Sequence, residues 1–406
     1  MGGLNSTPSS DRIHIGIFGK RNAGKSSIIN AMTGQSLAIV SEVKGTTTDP
    51  VSKAMELLPL GPVVMIDTPG IDDSGELGTL RVKKSYQVLN KTDIAVLVID
   101  AESGSTSEDF ALLNRINKKQ IPCVVVLNKA DIMNSQKALD IEIMEIQKQT
   151  GLTSIIAVSA KSRMGIHNLK DIIASQVKDV KPQYPIVSDL IEPSDLVVLV
   201  IPIDKAAPKG RLILPQQQTI RDILDCGGIA VVAKEDELKH VLQSLGKKPR
   251  LVITDSQVFH KVSADTPADV LLTSFSILFA RHKGELKPLL EGIDTVDRLG
   301  DGDKVLICEG CTHHRQCGDI GTEKIPAWIK KHTQARPEFT FTSGTEFPEN
   351  LQEYQFVIHC GGCMLNEREM KYRIASARDA GTPITNYGML IAHMNGILKR
   401  SMELFV

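Results

Sequence analysis

The stretch Ile13-His14-Ile15-Gly16-Ile17-Phe18-Gly19-Lys20-Arg21-Asn22-Ala23-Gly24-Lys25-Ser26-Ser27 is an apolar run, then a turn matching G-x-x-x-x-G-K-S, then the start of a helical pattern through Met32. Strand, loop and helix in that order are what a phosphate-binding loop requires. Its glycines let backbone N–H groups wrap phosphates, Lys25 reaches the β and γ oxygens, and the Ser26 hydroxyl suits Mg²⁺. Gly19, Lys20, Arg21, Asn22, Ala23, Gly24, Lys25, Ser26 and Ser27 are therefore candidate nucleotide contacts. A parallel, helix-covered α/β sheet is the fold expected around them.

Three further motifs follow outward from this loop. Asp67-Thr68-Pro69-Gly70, after the apolar run Val63–Ile66, puts a carboxylate at a strand end for Mg²⁺ and a glycine N–H at a γ-phosphate. Asn128-Lys129-Ala130-Asp131 follows Val124–Leu127, and the Asp131 carboxylate accepts from two donors that guanine has and adenine lacks. Ser159-Ala160-Lys161 completes a base pocket with a backbone N–H. The four together predict GTP with Mg²⁺ as the ligand.

The rest of the chain sets the frame. At roughly 100–200 residues per domain, 406 residues make about two to four domains. Lys+Arg 47 against Asp+Glu 48 and a pI near 6.8 lack the basic excess of a genome-coating protein, so no nucleic-acid partner is expected. The longest apolar runs are strand-length and the first residues lack a basic start and apolar core, so no membrane partner and a cytoplasmic location are expected. Met1-Gly2 to Ser6 fits a loose acylation pattern, which a flexible leader explains more simply.

Residues 12–180 alternate strand and helix patterns, and Lys178–Ser188 reads as a linker. Leu196–Thr254 reads as a small βαβαβ unit, suited to burying a face in a homodimer. Two strand-like runs, Lys304–Cys308 and Gln355–His359, end at cysteine clusters, with helices expected at Glu367–Arg378 and Ile391–Leu404. The expected domains are residues 1–180, 185–264 and 265–406.

Of seven cysteines, three or four fall near Cys311 and Cys360, a clustering that favours metal ligation over disulfides in a reducing compartment. Cys308-x₂-Cys311 with Cys360-x₂-Cys363 offers four thiolates for zinc or a cubane, but across a gap far longer than the roughly 15–20 residues of a zinc ribbon. Alternatively Cys311, Cys360 and Cys363 hold a cluster with one iron open, for which His313, His314, His359, Glu309 and water compete. Cys123, Cys226, Cys308 and Cys317 read as small buried hydrophobes.

On its four nucleotide motifs, the first 175 residues resemble the TrmE, Era and EngA family of GTPases. That resemblance makes Gly45-Thr46-Thr47-Thr48-Asp49 a switch segment, with Thr47 closing on Mg²⁺. It implies that Asn22 holds a potassium ion where other GTPases use an arginine finger, so that Asn22 and Lys25 form the catalytic pair. Ile71 replaces the water-orienting glutamine of Ras-type enzymes, so hydrolysis should be slow and potassium-stimulated.

On Cys311-Thr312-His313 and His359-Cys360-Gly361-Gly362-Cys363 behind such a domain, the whole chain resembles the maturation GTPases of [FeFe]-hydrogenase. That resemblance implies a dimerisation domain, a [4Fe–4S] cluster on Cys311, Cys360 and Cys363, and a scaffold or carrier role. The cargo would be a di-iron precursor with CO and cyanide ligands, received from the radical-SAM maturases HydE and HydG and delivered to apo-[FeFe]-hydrogenase. The competing expectation is a regulatory or tRNA-modification-type GTPase with a structural zinc module. The near-neutral charge and single Trp argue against an RNA surface.

Overall fold

The computed structural model describes residues 7–34, 50–72, 75–133, 135–179, 184–203, 212–311 and 319–405. Thr47 and its switch segment, and Thr312, His313, His314 and Cys317, lie outside the described residues. The chain divides into two compact units, Met1–Lys181 and Pro182–Val406.

The first unit is a six-stranded sheet of order β2-β3-β1-β4-β5-β6. Its strands are β1 (Ile13–Phe18), β2 (Val51–Leu57), β3 (Gly61–Asp67), β4 (Ile94–Asp100), β5 (Cys123–Asn128) and β6 (Ile155–Ala157). All neighbours are parallel except β2 and β3. Helices cover both faces, so β4 and β5 are apolar on both sides and read as continuous runs. Phe18, Leu97 and Leu127 face one core, and Ile17, Val96 and Val126 the other. From β1 the chain goes to β3 on one side and to β4 on the other, so the strand order turns back at β1 and opens a crevice beyond its carboxyl end. Strand β2 escapes a periodicity reading because this edge strand mixes exposed Lys53 and Glu56 with half-buried Met55.

The second unit holds two four-stranded parallel sheets. One has the order β10-β9-β7-β8, from β7 (Leu196–Val200), β8 (Ile229–Ala233), β9 (Leu251–Thr254) and β10 (Leu271–Ser274). The other has the order β12-β11-β13-β14, from β11 (Lys304–Glu309), β12 (Glu338–Ser343), β13 (Phe356–His359) and β14 (Ile384–Asn386). Val198, Val252 and Phe259 of the first share one core with Leu306, Phe356 and Leu390 of the second.

Three expectations change here. The βαβαβ unit gains a fourth strand, β10, and a helix, Phe275–Lys283, so a boundary after residue 264 would fall inside helix Phe259–Asp265 and cut the sheet. Strand β10 contributes only two leucines before Thr273 and Ser274, whose complete burial comes from tertiary packing. The stretch expected as a linker is docked where it is described: Ile186 and Val187 are buried, and the N–H groups of Val187 and Ser188 donate to Asp222 at 2.7 and 2.8 Å. The helix expected over Ile391–Leu404 is two helices, Tyr387–Met394 and Leu398–Met402, parted at Gly396, whose φ of 71° ends the first. Among the described residues, no helix is long and apolar enough to cross a membrane.

Candidate functional site

The loop after β1 has room for no side chain at two points. A Cβ on Gly19, at φ 142°, would lie 2.2 Å from the Val98 carbonyl oxygen, and one on Gly24, at φ 92°, 2.2 Å from Asn128 Nδ2. Asn22 also adopts a left-handed conformation, at φ 63°. Lys25, 9% exposed, curls back to donate from Nζ to the Gly19 and Lys20 carbonyls at 2.9 and 2.8 Å, which ties the loop to its own ammonium.

Ser26 Oγ donates to Asp67 Oδ2 at 2.7 Å. The other oxygen, Asp67 Oδ1, is buried and has no hydrogen-bond partner among the described residues. Burial pushes the Asp67 carboxyl above its ordinary range, against the lowering effects of Ser26 and Lys25. A buried carboxylate oxygen without a donor, beside a serine hydroxyl at a helix start, is an oxygen set that fits Mg²⁺.

Asn128 ties the motifs together. Its Nδ2 donates to the Ala23 carbonyl at 3.0 Å, and its Oδ1 accepts from the Ala160 N–H at 3.1 Å. Lys129 pairs with Asp100 at 2.5 Å. A cavity of about 510 Å³ runs from Asn22, Gly24, Lys25, Ser26 and Ser27 at one end to Asn128, Lys129, Asp131, Ala160 and Lys161 at the other. Ser159 lies beneath it, buried, its hydroxyl accepting from the Ser162 N–H at 3.0 Å. Gly70 packs against the loop, where a Cβ would lie 3.0 Å from Arg21 N, and that N–H donates to Asp72 at 2.7 Å. Ile71 is buried in the sheet core. Lys20 reaches out to Glu108 at 3.6 Å.

The cysteines occupy the corresponding edge of the second unit. Strand order turns back between β11 and β13, since β12 lies on the far side of β11. Cys311 follows β11 and Cys360 follows β13, so both stand at the carboxyl ends of neighbouring parallel strands, the usual ligand crevice of an open α/β sheet. The Cys360 N–H donates to the Cys308 carbonyl at 2.9 Å. Its Sγ accepts from the N–H groups of Gly310 at 3.0 Å and Gly362 at 3.4 Å. Burial pushes the Cys360 thiol up, while those two donors pull it down. Burial likewise pushes Cys363 up to about 11. Its backbone is held from helix Phe275–Lys283, where Lys283 Nζ donates to the Cys363 and Leu365 carbonyls at 2.9 and 2.8 Å.

Of the histidine candidates, His359 is buried with both ring nitrogens engaged. Its Nδ1 lies 2.8 Å from the Cys360 carbonyl and its Nε2 2.9 Å from Arg373. A guanidinium only donates, so Nε2 accepts and Nδ1 carries the proton. Burial and Arg373 push the ring down to about 3. His359 therefore shapes the Cys360 turn and presents no open nitrogen to a metal. Arg373 itself is fully buried and also donates to Glu369 at 2.9 Å and the Gly344 carbonyl at 2.7 Å.

Glu309 is buried and faces Tyr387, since a Cβ on Gly321 would lie 2.4 Å from both Glu309 Oε1 and the Tyr387 hydroxyl. The Tyr387 hydroxyl has no hydrogen-bond partner among the described residues, and burial, with Cys360 and Glu309 nearby, pushes it well above its ordinary value. Tyr387, Lys283 and Arg373 escape a reading of the sequence because each comes from a different helix, and only packing turns it toward the cysteine loop. Of the remaining cysteines, Cys123 and Cys308 are buried and Cys226 half-buried.

Three family models match this chain. Residues 14–129 match a 50S ribosome-binding GTPase domain, residues 186–284 the hydrogen maturase F dimerization domain, and residues 287–404 the hydrogen maturase F tetramerization domain. The chain belongs to the hydrogen maturase F (HydF) family.

As a hydrogen maturase F protein, it combines a GTPase domain, with GTP and Mg²⁺ as ligands, with two homo-oligomerisation domains. Curated relatives match its GTPase portion. GTPase Der of a Nitratiruptor species is 32% identical over 43% of this chain and 39% of its own length. The tRNA modification GTPase MnmE of Desulforamulus reducens is 32% identical over 41% of this chain and 34% of its own, and that of Helicobacter pylori 41% identical over 32% and 28%. The chain thus spans less than two-fifths of these relatives. Among solved structures, Era of Aquifex aeolicus matches at 23% identity and a TM-score of 0.38, over 54% of this chain and 92% of its own.

Proposed function

We propose that this hydrogen maturase F protein is a GTP-hydrolysing scaffold in hydrogenase maturation. It would hold a [4Fe–4S] cluster on Cys311, Cys360 and Cys363, carry a di-iron precursor with CO and cyanide ligands, and pass it to apo-[FeFe]-hydrogenase. The observation that carries the reading is the placing of Cys311 and Cys360 at the carboxyl ends of adjacent strands β11 and β13, in a chain whose other unit gathers four guanine-nucleotide motifs around one cavity.

The donor set suits such a group. Gly310 and Gly362 N–H groups aimed at Cys360 Sγ favour a thiolate there, and the Tyr387 hydroxyl leaves one donor at the wall. A cubane on three cysteines supplies one iron with an open coordination position. With both nitrogens of His359 engaged, Glu309 is the remaining candidate for that role among the described residues, and His313, outside them, is the other proposed candidate.

In the first unit, Lys25 and the loop N–H groups bind phosphate, Ser26, Asp67 and Thr47 hold Mg²⁺, and Asn128, Asp131, Ala160 and Lys161 select guanine. Buried Ile71 orients no water, so hydrolysis is slow, and Asn22 is assigned to a potassium ion. The oligomerisation domains associate copies of the chain. Strand β8, at one end of its sheet with Ile229 47% and Val232 48% exposed, is suited to pair with a second copy. The radical-SAM maturases HydE and HydG are the proposed donors of cargo, and the cytoplasm is the proposed location.

The test is iron content and EPR of the anaerobically reconstituted, reduced protein beside a Cys311→Ala, Cys360→Ala, Cys363→Ala variant, with GTP turnover compared in potassium and sodium. A cubane signal lost in the variant, and faster turnover in potassium, are the expected results. Stoichiometric zinc that the cysteine variant loses, without a paramagnetic cluster, would replace the scaffold with a GTPase bearing a structural zinc module. Equal rates in the two salts would remove the role of Asn22.

A further inference from the structure

Asp297, His332 and His393 meet at a point that no motif announces. Asp297 lies in the turn Ile293–Arg298, His332 in the last turn of helix Ile325–Thr333 and His393 in the last turn of helix Tyr387–Met394. His332 Nε2 is 2.7 Å from one carboxylate oxygen of Asp297, and His393 Nε2 is 2.9 Å from the other. One ligand atom from each residue lies within 4.8 Å of the others, a grouping of three found once among the described residues.

The chemistry of this set is selective. Two imidazoles and one carboxylate suit a first-row transition metal, whereas Mg²⁺ and Ca²⁺ prefer oxygen alone. The electrostatics favour a cation as well, because both histidines sit at helix carboxyl termini, where the backbone dipoles present partial negative charge.

The backbones are also fixed before any ion arrives. Ile325 and Ile329 anchor one helix, Met389 and Leu390 the other, and Ile293 and Val296 the turn, all buried in one core. Side-chain exposures of 46% for Asp297, 30% for His332 and 20% for His393 leave coordination positions open to solvent. Tyr387, at the cysteine loop, begins the helix that His393 ends, so the two places are about 10 Å apart along its axis.

We propose that Asp297, His332 and His393 form a binding site for one divalent transition-metal ion of the zinc class, separate from the cysteine loop. Each Nε2 would exchange its hydrogen bond to the carboxylate for a bond to the metal, its proton moving to Nδ1 or leaving to solvent.

The test uses the full chain with Cys311→Ser, Cys317→Ser, Cys360→Ser and Cys363→Ser, titrated with Co²⁺ as a spectroscopic stand-in for Zn²⁺. The expected result is one equivalent per chain, with d–d absorption, no thiolate charge-transfer band, and displacement by Zn²⁺. Adding His332→Ala or Asp297→Asn should weaken uptake by at least about tenfold. No saturable uptake, or uptake unchanged by both substitutions, overturns the site. Zn²⁺ should also raise the Tm of the four-serine chain with its histidines intact, so absence of any rise counts against the site even if the further substituted chains fold poorly.

Discussion

In the first unit the ligand-facing loop leaves β1 beside β4; in the second, Cys311 leaves β11 and Cys360 leaves β13. Both places lie where the order of a parallel sheet turns back, and both are lined by backbone too tight for a side chain. What they offer differs. The first meets an anion with backbone dipoles and a buried lysine, so its chemistry is a contiguous stretch. The second, on the proposed reading, would meet a metal with sulfur atoms whose proton ligation displaces, burial having pushed both thiols up, so its chemistry has to be gathered from separate strands. The same sheet edge thus serves opposite charges, and side chains on the loops decide which.

The strongest way to break this comparison is Arg373→Ala. It leaves Glu369 as a buried charge and His359 Nε2 without its donor, at a cost of about 3–5 kcal/mol. The denaturation midpoint of the second unit should fall while nucleotide affinity holds. Loss of nucleotide binding would mean that the two edges are not independently built.

Next in size is Lys25→Ala, which removes a buried ammonium from the loop. A loss of about 2–3 kcal/mol corresponds to GTP binding weakened by roughly 30- to 150-fold, with iron content unchanged. Fluorescent-nucleotide titration beside an iron assay measures both.

The smallest effect concerns a thiol at the start of β5, the end away from Asn128. Burial pushes Cys123 from 9.0 up to about 12. The unfolded chain therefore gives up this proton first, and the stabilisation present below about pH 9 is lost as pH rises toward 12. Relative to Cys123→Ala, the first unit should lose about 1 kcal/mol more between pH 8 and 10, seen as a steeper fall in Tm. Equal slopes would place the alkaline limb elsewhere.

These contrasts explain what was legible in the sequence. The nucleotide cavity could be read because Gly19–Ser26 is one uninterrupted stretch and each later motif closes a strongly apolar strand. The cysteine edge was half legible: Cys311, Cys360 and Cys363 stand out by spacing. The elements that hold them, Lys283, Arg373 and Tyr387, lie on three different helices and acquire meaning only when packed. His359 illustrates the limit, since its place beside Cys360 suggests a ligand and only the position of Arg373 shows its second nitrogen engaged. Strands β10 and β12 were missed for a related reason. Thr273 and Ser274 carry no apolar signal, and β12, at a sheet edge, alternates half-buried Phe with Glu and Thr and has no fully buried residue.

The pairing of β11 with β13 also sets an order of events during synthesis. Cys311 leaves the ribosome about fifty residues ahead of Cys360, which at roughly 5–20 residues per second is an interval of several seconds. Throughout it, β11 lacks the neighbour that brings the second and third sulfurs to its end. A nascent chain therefore exposes Cys311 before it has a pocket, and iron delivered co-translationally would meet one of the three proposed ligands. The proposed cluster would therefore load on the finished chain, after β13 has docked and Lys283 has drawn the Cys363 turn into place.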